Sequence, residues 1–389
     1  MRALFVTNGH GEAAIADRIA GELVLMAPDA RIDHLALVGD ATSQSMRGVG
    51  PRRRMPSGGL IAMGNVRGIA QDVRAGLIPL TWAQAAFLRR ARGEYSVVVA
   101  VGDAYALAMT LLARARTVFV GSAKSVAVAP YGPFEERLLR RAAACFVRDD
   151  ATARVLREDG VKVDVANAIV DLFAMPDDAA AQLAIEKFDP AVALFPGSRA
   201  SAYDDAAFLL EVTRAVAATS PALGAALSVA RELDPERFAR DAARAGWEVR
   251  ATPSESMPFV LSRDGRELVR AWRGALGPLL ARVSLVLGQA GTANEAAAAA
   301  GVPVVAFERD RDRKARWYRR RQSGLLGDAL AVLPGRLAEA VAGVRSILDD
   351  PVRRRAMGET GRARMGEAGG ARRIAQRVAS LARAGWEVP

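Results

Sequence analysis

The sequence predicts an α/β protein built from two Rossmann-like domains that face a cleft. Strand-like and helical runs alternate through most of the 389 residues, which is typical of parallel α/β layers. The chain is long for a single core, and the alternation restarts near residue 192, so the sequence reads as two similar halves.

The individual elements follow from apolar runs and their spacing. In the helix predicted over residues 12–26, Ile15, Ile19 and Leu23 recur at helical spacing and indicate one buried face. Strands are predicted in the first half at residues 3–7, 31–37, 97–101, 117–120, 144–147 and 163–166. The second half has predicted strands at 192–195, 224–229, 247–251, 283–287 and 304–307, then helices at 337–348, 351–365 and 371–384.

These elements define an N-terminal domain over residues 1–175 and a C-terminal domain over 185–370. Residues 371–389 form a C-terminal helical segment, for which packing back on the N-terminal domain is one candidate arrangement. Residues 46–92 interrupt the alternation and combine Gly, Met, Trp and Arg, which suits contact with something both apolar and anionic, such as a membrane or an amphipathic acceptor. The alternative is an elaboration of the N-terminal domain that packs on its own sheet.

Composition narrows the classes of function. The chain has one cysteine, Cys145, and two histidines, His10 and His34, which excludes a disulfide framework and leaves too few ligands for a structural zinc site. Cys145 lies in an apolar segment and is predicted to belong to the core. The net charge of +11 favours an anionic partner, but no nucleic-acid motif accompanies it, so we expect no nucleic-acid partner.

The sequence also bears on location. Its first residues read as a strand rather than a signal peptide, because the apolar run is short and ends in Asn-Gly-His-Gly. No apolar stretch approaches the ~20 residues of a spanning helix. We therefore expect a cytoplasmic protein, with peripheral attachment to the inner face of the membrane as a further hypothesis.

The segment 283–307 carries the strongest functional signal. A buried strand is followed by a Gly-rich turn and by a helix that opens near Thr292, so backbone N–H groups and the positive helix end converge on one point that suits a phosphate. Glu295 lies one turn into this helix, where a carboxylate can accept the two hydroxyls of a ribose. The alternative needs no ligand, because Thr292 and Glu295 also have the spacing of a capping box.

A second strand ends in a tight turn at Pro196 and Gly197. Ser198 and Arg199 follow it, at the carboxyl end of a strand, where open α/β sheets place their ligands. An arginine suits a diphosphate because its planar guanidinium is always charged. The next helix is predicted to begin near Asp204 or Asp205, which are good N-cap residues.

The N-terminal strand runs into the polar segment Asn8-Gly-His-Gly-Glu12. His10 and Glu12 are candidates for an acid/base pair, and Asp103, at the end of another buried strand, is a third candidate. For each of the three, a turn or capping role is the alternative. The segment also resembles a degenerate dinucleotide fingerprint with Asp33 as the ribose ligand, although its third glycine is replaced by Ala14.

Several of these segments resemble motifs of GT-B glycosyltransferases, specifically the lipid-A-disaccharide synthases and their synthase-related branch. Leu194-Phe-Pro-Gly-Ser-Arg199 resembles the Leu-Pro-Gly-Ser-Arg turn of that group. The segment from Gly288 to Glu295, with Gly301-Val-Pro303, resembles its nucleotide-sugar motif, and Asn8-Gly-His-Gly-Glu12 occupies the place of its Gly-Glu loop. The segments Pro56-Ser-Gly-Gly59, Asp72-Val-Arg-Ala-Gly-Leu77 and Gln322-Ser-Gly-Leu-Leu-Gly327 are more similar to the related branch.

The resemblance spans nearly the whole chain and implies a UDP-sugar site in the C-terminal domain. It places Gly291 and Thr292 at the diphosphate, Glu295 at the ribose, Ser198 and Arg199 near the phosphates, and Gln322 toward the sugar. The full set of implied donor-site residues is Gly197, Ser198, Arg199, Gly288, Gln289, Gly291, Thr292, Glu295 and Gln322. On the acceptor side the chain departs from the synthases, since the loop from Gly11 to Asp17 lacks their serine.

The function implied is inverting transfer of a GlcNAc-like sugar from a UDP-sugar to a hydroxyl of a lipid or other amphipathic acceptor. Glu12, His10 or Asp103 would act as the base. We expect no cofactor, since the UDP-sugar is the donor substrate. Asp310-Arg-Asp312 resembles the Asp-x-Asp metal motif of another glycosyltransferase fold, but the neighbouring arginines would satisfy both carboxylates, so we expect no metal. Two alternatives stay open: a UDP-GlcNAc 2-epimerase on the same fold, and a non-catalytic lipid-binding or membrane-binding protein.

Overall fold

In the computed structural model, residues 1–39, 43, 45–55, 71–122, 124–174, 180–309 and 313–384 are described; for residues 173, 174, 180 and 313–318 the description covers the backbone only. The chain forms two compact units. Unit 1 comprises Met1–Asp171 and Glu367–Pro389, and unit 2 comprises Leu172–Gly366.

Unit 1 is a doubly wound α/β unit. Its strands are β1 (Arg2–Thr7), β2 (Arg31–Ala36), β3 (Arg47–Gly48), β4 (Val97–Gly102), β5 (Arg116–Gly121), β6 (Ala144–Val147) and β7 (Val163–Val165). Its helices before residue 171 include α1 (His10–Met26), α2 (Leu77–Arg90), α3 (Ala104–Thr110), α4 (Pro133–Leu139) and α5 (Asp150–Glu158). Within the described residues, the strands form a parallel seven-stranded sheet in the order β3-β2-β1-β4-β5-β6-β7.

This strand order creates a switch point between β1 and β4. The chain leaves β1 toward β2 on one side of the sheet and later returns to place β4 on the other side. Helices that follow the two strands diverge, which opens a crevice at their carboxyl ends. Every residue of the Val-rich strand β4 is buried, as expected for a central parallel strand covered on both faces. Cys145 is buried in the same core, as predicted, and burial raises the pKa of its thiol to about 12.

Unit 2 repeats this architecture with an added hairpin. Its strands are β8 (Ala191–Phe195), β9 (Gly224–Ser228), β10 (Glu248–Ala251), β11 (Phe259–Arg263), β12 (Arg266–Trp272), β13 (Leu285–Gly288), β14 (Val304–Glu308) and β15 (Leu330–Pro334). Its helices include α6 (Ala180–Leu183), α7 (Ala202–Ala217), α8 (Pro235–Arg244), α9 (Leu276–Leu280), α10 (Thr292–Ala300), α11 (Arg313–Leu326), α12 (Leu337–Leu348) and α13 (Pro351–Met365). The sheet order is β10-β11-β12-β9-β8-β13-β14-β15, so the switch point lies between β8 and β13.

The prediction of a two-part α/β architecture is confirmed, and the differences lie in particular elements. Strands β3, β11, β12 and β15 were not predicted. Strands β11 and β12 form an antiparallel hairpin closed by Asp264 and Gly265, both at positive φ. An Asp-Gly pair between two apolar runs is a hairpin signal that could have revealed both strands.

The predicted start of α7 is wrong by a few residues. The helix begins at Ala202 with Ser201 as its N-cap, so Asp204 and Asp205 lie within its first turn. Carboxylates are favourable both at the N-cap and in the first turn of a helix, because both positions lie at the positive end of the helix dipole. For this reason the sequence placed the start of the helix a few residues too late.

The last described helix, α14 (Gly370–Arg383), packs on α1 within unit 1. The carboxylate of Asp171 accepts hydrogen bonds from the backbone N–H of Gly369, at 2.5 Å, and from that of Ala371, at 2.7 Å. A Cβ on Gly370 would lie 2.9 Å from the Asn167 carbonyl carbon, so only glycine permits this close approach. Asp171 therefore caps a helix that lies about 200 residues later in the chain. No helix among the described residues has the length and apolar character needed to cross a membrane.

Candidate functional site

Two turns leave the sheet of unit 2 side by side at its switch point. Gly288, at the end of β13, is in register with Phe195, at the end of β8. The carbonyl of Phe195 accepts hydrogen bonds from the backbone N–H groups of Gln289, at 2.8 Å, and Ala290, at 3.1 Å. Gly197 has a φ of +108°, and a Cβ on it would lie 3.9 Å from Ala290 Cα. The two turns predicted from the sequence therefore adjoin each other.

The N-terminus of α10 opens directly after the second of these turns. The helix begins at Thr292, with Gly291 as its N-cap and no side-chain capping hydrogen bond. Thr292 is thus already the first helical residue, so it does not form the capping box that was the ligand-free alternative. The first N–H groups of a helix have no partner within it, which makes this end suited to a phosphate.

Buried amides hold the Gly-rich turn in place. Gln322 donates from Nε2 to the carbonyls of Ala290 and Gly291, both at 3.2 Å. Asn294 donates from Nδ2 to the carbonyl of Gly288 and to Oε1 of Gln322, each at 3.2 Å. A Cβ on Gly288 would fall on the Asn294 amide, so this position accepts only glycine.

The same bonds define the role of Gln322. The resemblance implies that Gln322 faces the sugar, but its side chain is buried and bonded to the turn. We therefore assign it to positioning the turn. Asn294 has the same role and was not singled out from the sequence, because a helical asparagine carries no signal of its partner.

A buried arginine supports the turn from α11. Arg319 donates to both the backbone carbonyl and the side-chain oxygen of Gln289. Gln289 in turn donates from Nε2 to the carbonyl of Phe307, at 3.1 Å, and so ties the turn to β14. The side chain of Gln289 is therefore used to hold the turn, and Arg319 is a positioning residue. Sequence reasoning did not single out Arg319, because several other arginines surround it in the segment 308–322.

The predicted phosphate ligand Arg199 differs from these buried groups. Its side chain is exposed and forms no hydrogen bond or ion pair with the part of the chain that the structure describes. Ser198 beside it is half-buried, and so is Glu295, one turn into α10. The edge of the sheet thus combines a helix N-terminus with one exposed guanidinium, an arrangement that suits a diphosphate.

The candidates of unit 1 gather at that unit's own switch point. His10 is the first residue of α1, which follows β1. Glu12 lies against the end of β4, where a Cβ on Gly102 would be 2.8 Å from its Cγ. Asp103 follows β4 and accepts hydrogen bonds from the Ala106 N–H and from Asn8 Nδ2, each at 2.9 Å. The capping alternative is therefore realised for Asp103, while His10 and Glu12 remain the predicted acid/base pair.

Asp33 is engaged by side chains of its own unit. Buried early in β2, it accepts hydrogen bonds from Arg47 Nε and the Tyr95 hydroxyl, both at 2.9 Å, and from Arg2 Nη2, at 3.1 Å. Burial alone would raise the pKa of Asp33, but the hydrogen bonds from Arg47, Tyr95 and Arg2 outweigh it and lower the pKa below the ordinary value. The carboxylate is thus part of an ion cluster, which removes the basis of the dinucleotide alternative.

We expect the Asp33→Asn variant to lose about 2–3 kcal/mol of stability at pH 7, because three donors lose a charged acceptor. Because the pKa of Asp33 is lower in the folded chain than in the unfolded chain, where it is about 3.9, the ionised carboxylate stabilises the fold above that pH. This contribution is lost as the pH falls through the pKa of the folded state. Denaturant unfolding at pH 7 and pH 3 measures it. The difference between wild type and variant should shrink at pH 3; an equal difference at both values would contradict the ion cluster.

Two segments named in the sequence analysis lie outside the described residues. One contains Asp310 and Asp312, for which no metal is expected, and the other is Pro56-Ser-Gly-Gly59. In the part of the chain that is described, no group of three or more His, Cys, Asp or Glu side chains is arranged to hold a metal ion.

Comparisons with known proteins give relatives by structure only. No protein-family model matches the chain, and no curated protein matches it. The co-structure of S. aureus MnaA with UDP has a TM-score of 0.61 at 12% identity, over 100% of this chain and 99% of that one. The UDP-GlcNAc 2-epimerase of Methanocaldococcus jannaschii has a TM-score of 0.55 at 13% identity, over 98% and 100%. The calicheamicin glycosyltransferase CalG4 has a TM-score of 0.55 at 16% identity, over 99% of each chain.

These likenesses show the fold. The chain has the two Rossmann-like domains of a GT-B fold, an architecture shared by glycosyltransferases and by UDP-GlcNAc 2-epimerases.

Proposed function

We propose that this chain is an enzyme that binds a UDP-sugar at the switch point of unit 2 and breaks the bond between the anomeric carbon and the diphosphate. One observation carries the proposal: the Gly197–Arg199 turn and the N-terminus of α10 adjoin there, with Arg199 exposed. The α10 N–H groups and Arg199 would stabilise the charge of the departing UDP. Glu295 would hold the ribose.

Transfer to a hydroxyl is the reaction that the motif resemblance to the lipid-A-disaccharide synthase group favours. Glu12 or His10 would take the proton of the acceptor hydroxyl, whose oxygen attacks the anomeric carbon from the face opposite the diphosphate. The bond to UDP breaks as the new glycosidic bond forms, which inverts the anomeric configuration. The acceptor in this proposal is a lipid or another amphipathic molecule, and the step uses no metal.

Epimerisation at C2 is the second candidate, and the similarity to the epimerase of M. jannaschii favours it. A base would remove the C2 proton of UDP-GlcNAc while UDP leaves from C1, giving an unsaturated sugar and UDP. Addition of UDP back to C1, with protonation of C2 on the opposite face, yields the C2 epimer. In both candidate reactions the bond between the anomeric carbon and UDP breaks, so both would use the site in unit 2.

Incubation of the protein with UDP-GlcNAc in the absence of an acceptor separates the two reactions. Formation of the C2 epimer, detected by proton NMR, identifies the epimerase. UDP release that depends on an added amphipathic acceptor identifies the transferase. In either case we expect Glu12→Gln or His10→Gln to lower turnover by about 10²–10⁴-fold, the usual contribution of a general base, with unchanged UDP affinity. UDP affinity that falls in step with turnover would contradict the assignment of a base.

A further inference from the structure

Helix α2 turns apolar side chains outward from unit 1. Trp82 is 68% exposed and Ile78, one turn before it, is 54% exposed. Val73, in the helical turn that precedes α2, is 40% exposed. Since residues four apart lie on the same face of a helix, Ile78 and Trp82 form one apolar strip.

Packing against the core of unit 1 does not explain why α2 carries this strip, because the core is covered by other residues of the helix. Its buried residues are Leu77, Leu80, Gln84, Ala85 and Leu88, and Leu77 and Leu80 pack with Val38 and Met55. Ordinarily the face opposite the core of a surface helix is polar. In α2 the outward face begins with Ile78, Pro79, Trp82 and Ala83 and turns basic only at Arg89 and Arg90.

The exposed charged side chains of the two described stretches around the strip in the sequence are all arginines. The exposed charged residues of 45–55 and 71–92 are Arg47, Arg52, Arg53, Arg54, Arg74, Arg89, Arg90 and Arg92. Asp72, the acidic residue of these two stretches, is fully buried. Arg53 donates from Nη1 to the carbonyl of Ala75, at 2.8 Å, which holds the segment of Arg52, Arg53 and Arg54 beside the start of α2.

We propose that this surface, the α2 patch of Val73, Ile78, Trp82 and the flanking arginines, docks unit 1 on an anionic lipid bilayer. Apolar side chains that enter the acyl boundary, ringed by cations that meet acidic headgroups, are the chemistry of a peripheral membrane anchor. A second copy of the chain fits poorly, because a symmetric contact would bring arginines against arginines. The inference deepens the proposed function, since a hydroxyl acceptor on a lipid is reached from the bilayer surface.

Vesicle co-sedimentation of the full chain tests the α2 patch without any nucleotide. Vesicles of phosphatidylcholine with phosphatidylglycerol are compared with vesicles of phosphatidylcholine alone. The apolar variant is Ile78→Ser with Trp82→Ser, and the charge variant is Arg52→Gln with Arg74→Gln. The matched control is Leu25→Ser with Phe134→Ser, because these residues of unit 1 are 77% and 73% exposed and lie on α1 and α4.

We expect binding to the anionic vesicles that weakens with added salt, and at least about a tenfold loss of partitioning in both patch variants. The control should bind like the wild type. Brominated lipids should quench wild-type fluorescence more than that of Trp82→Phe. Equal losses in control and patch variants, or no preference for anionic vesicles, would overturn the proposal; so would a change of oligomeric state in the apolar variant, which would mark a protein interface.

The outcome is separable from that of the proposed function. UDP binding belongs to unit 2 and should be the same in all of these variants. Loss of vesicle binding with intact UDP binding supports the α2 patch, whereas a wild-type protein that binds anionic vesicles but no UDP retains the patch and rejects the UDP-sugar proposal.

Discussion

The Arg199→Ala variant is expected to bind UDP roughly 10–100-fold more weakly than the wild type, with an unchanged fold. Hydrogen bonds to charged groups contribute about 1.5–3 kcal/mol, and each 1.4 kcal/mol is a tenfold change in affinity. The fold is unaffected because the Arg199 side chain is exposed and contacts no partner within the described residues. Isothermal titration with UDP measures the affinity, and thermal unfolding without ligand measures the fold.

A matched arginine on the same unit provides the control. Arg244 is exposed in the last turn of α8. A helix that follows a parallel strand runs back along the sheet, so this turn lies at the edge away from the carboxyl ends of the strands. Arg244→Ala removes the same charge and should leave UDP affinity unchanged. If UDP affinity fell equally in both variants, the effect of Arg199 would be explained by the net charge of the protein. If it fell in neither, the proposed site would be contradicted.

The Gly361→Val variant is expected to lower the stability of unit 2 by about 3 kcal/mol, at the upper end of overpacking effects. Helices α10 and α13 are in backbone contact, since a Cβ on Gly361 would be within van der Waals overlap of the Ala298 carbonyl oxygen. Gly358 lies equally close to the carbonyl of Gly301, directly after α10. A larger side chain at Gly361 can therefore be accommodated only if α10 and α13 move apart. For a unit of this size the melting temperature should fall by roughly 6–12 °C.

The neighbouring Glu359 supplies the control, because it is exposed on the same helix. Glu359→Val introduces the same β-branched side chain at a position with room for it and should change stability by less than about 1 kcal/mol. We also expect weaker UDP binding in Gly361→Val than in Glu359→Val, because the N-terminus of α10 is the proposed phosphate site. Equal stability in both variants would contradict the close packing of α10 on α13.

Much of the fold could be predicted because central parallel strands have a simple signature. The Val-rich strand β4 and the apolar run of β13 are buried on both faces, so unbroken apolar sequence marked them. Strand β12 was missed because Arg266 and Glu267 break its apolar pattern, and these side chains bond to the Leu223 carbonyl and to Lys187, which lie far away in the sequence. Polar residues whose partners are distant in the sequence conceal a strand from any local pattern.

The site could be predicted only as far as its local turns. The Gly-rich turn after β13 and the turn after β8 can each be recognised from a few consecutive residues. The register between β13 and β8 brings the two turns together. The bonds from Gln322 and Arg319 to Gln289, Ala290 and Gly291 span about 30 residues and belong to tertiary packing. The sequence therefore indicated the elements of the proposed site but not the side chains that hold them in place.

A thermal-shift measurement with UDP tests the central claim most directly. The wild-type chain is unfolded with saturating UDP, UDP-GlcNAc, UDP-glucose, GDP, ADP and NAD in parallel. A ligand that binds only the folded protein at 100 times its dissociation constant adds about 2.7 kcal/mol of stability, which raises the melting temperature measurably. We expect stabilisation by the UDP species alone. Stabilisation by NAD, or by none of the six, would contradict a UDP-sugar site at the switch point of unit 2.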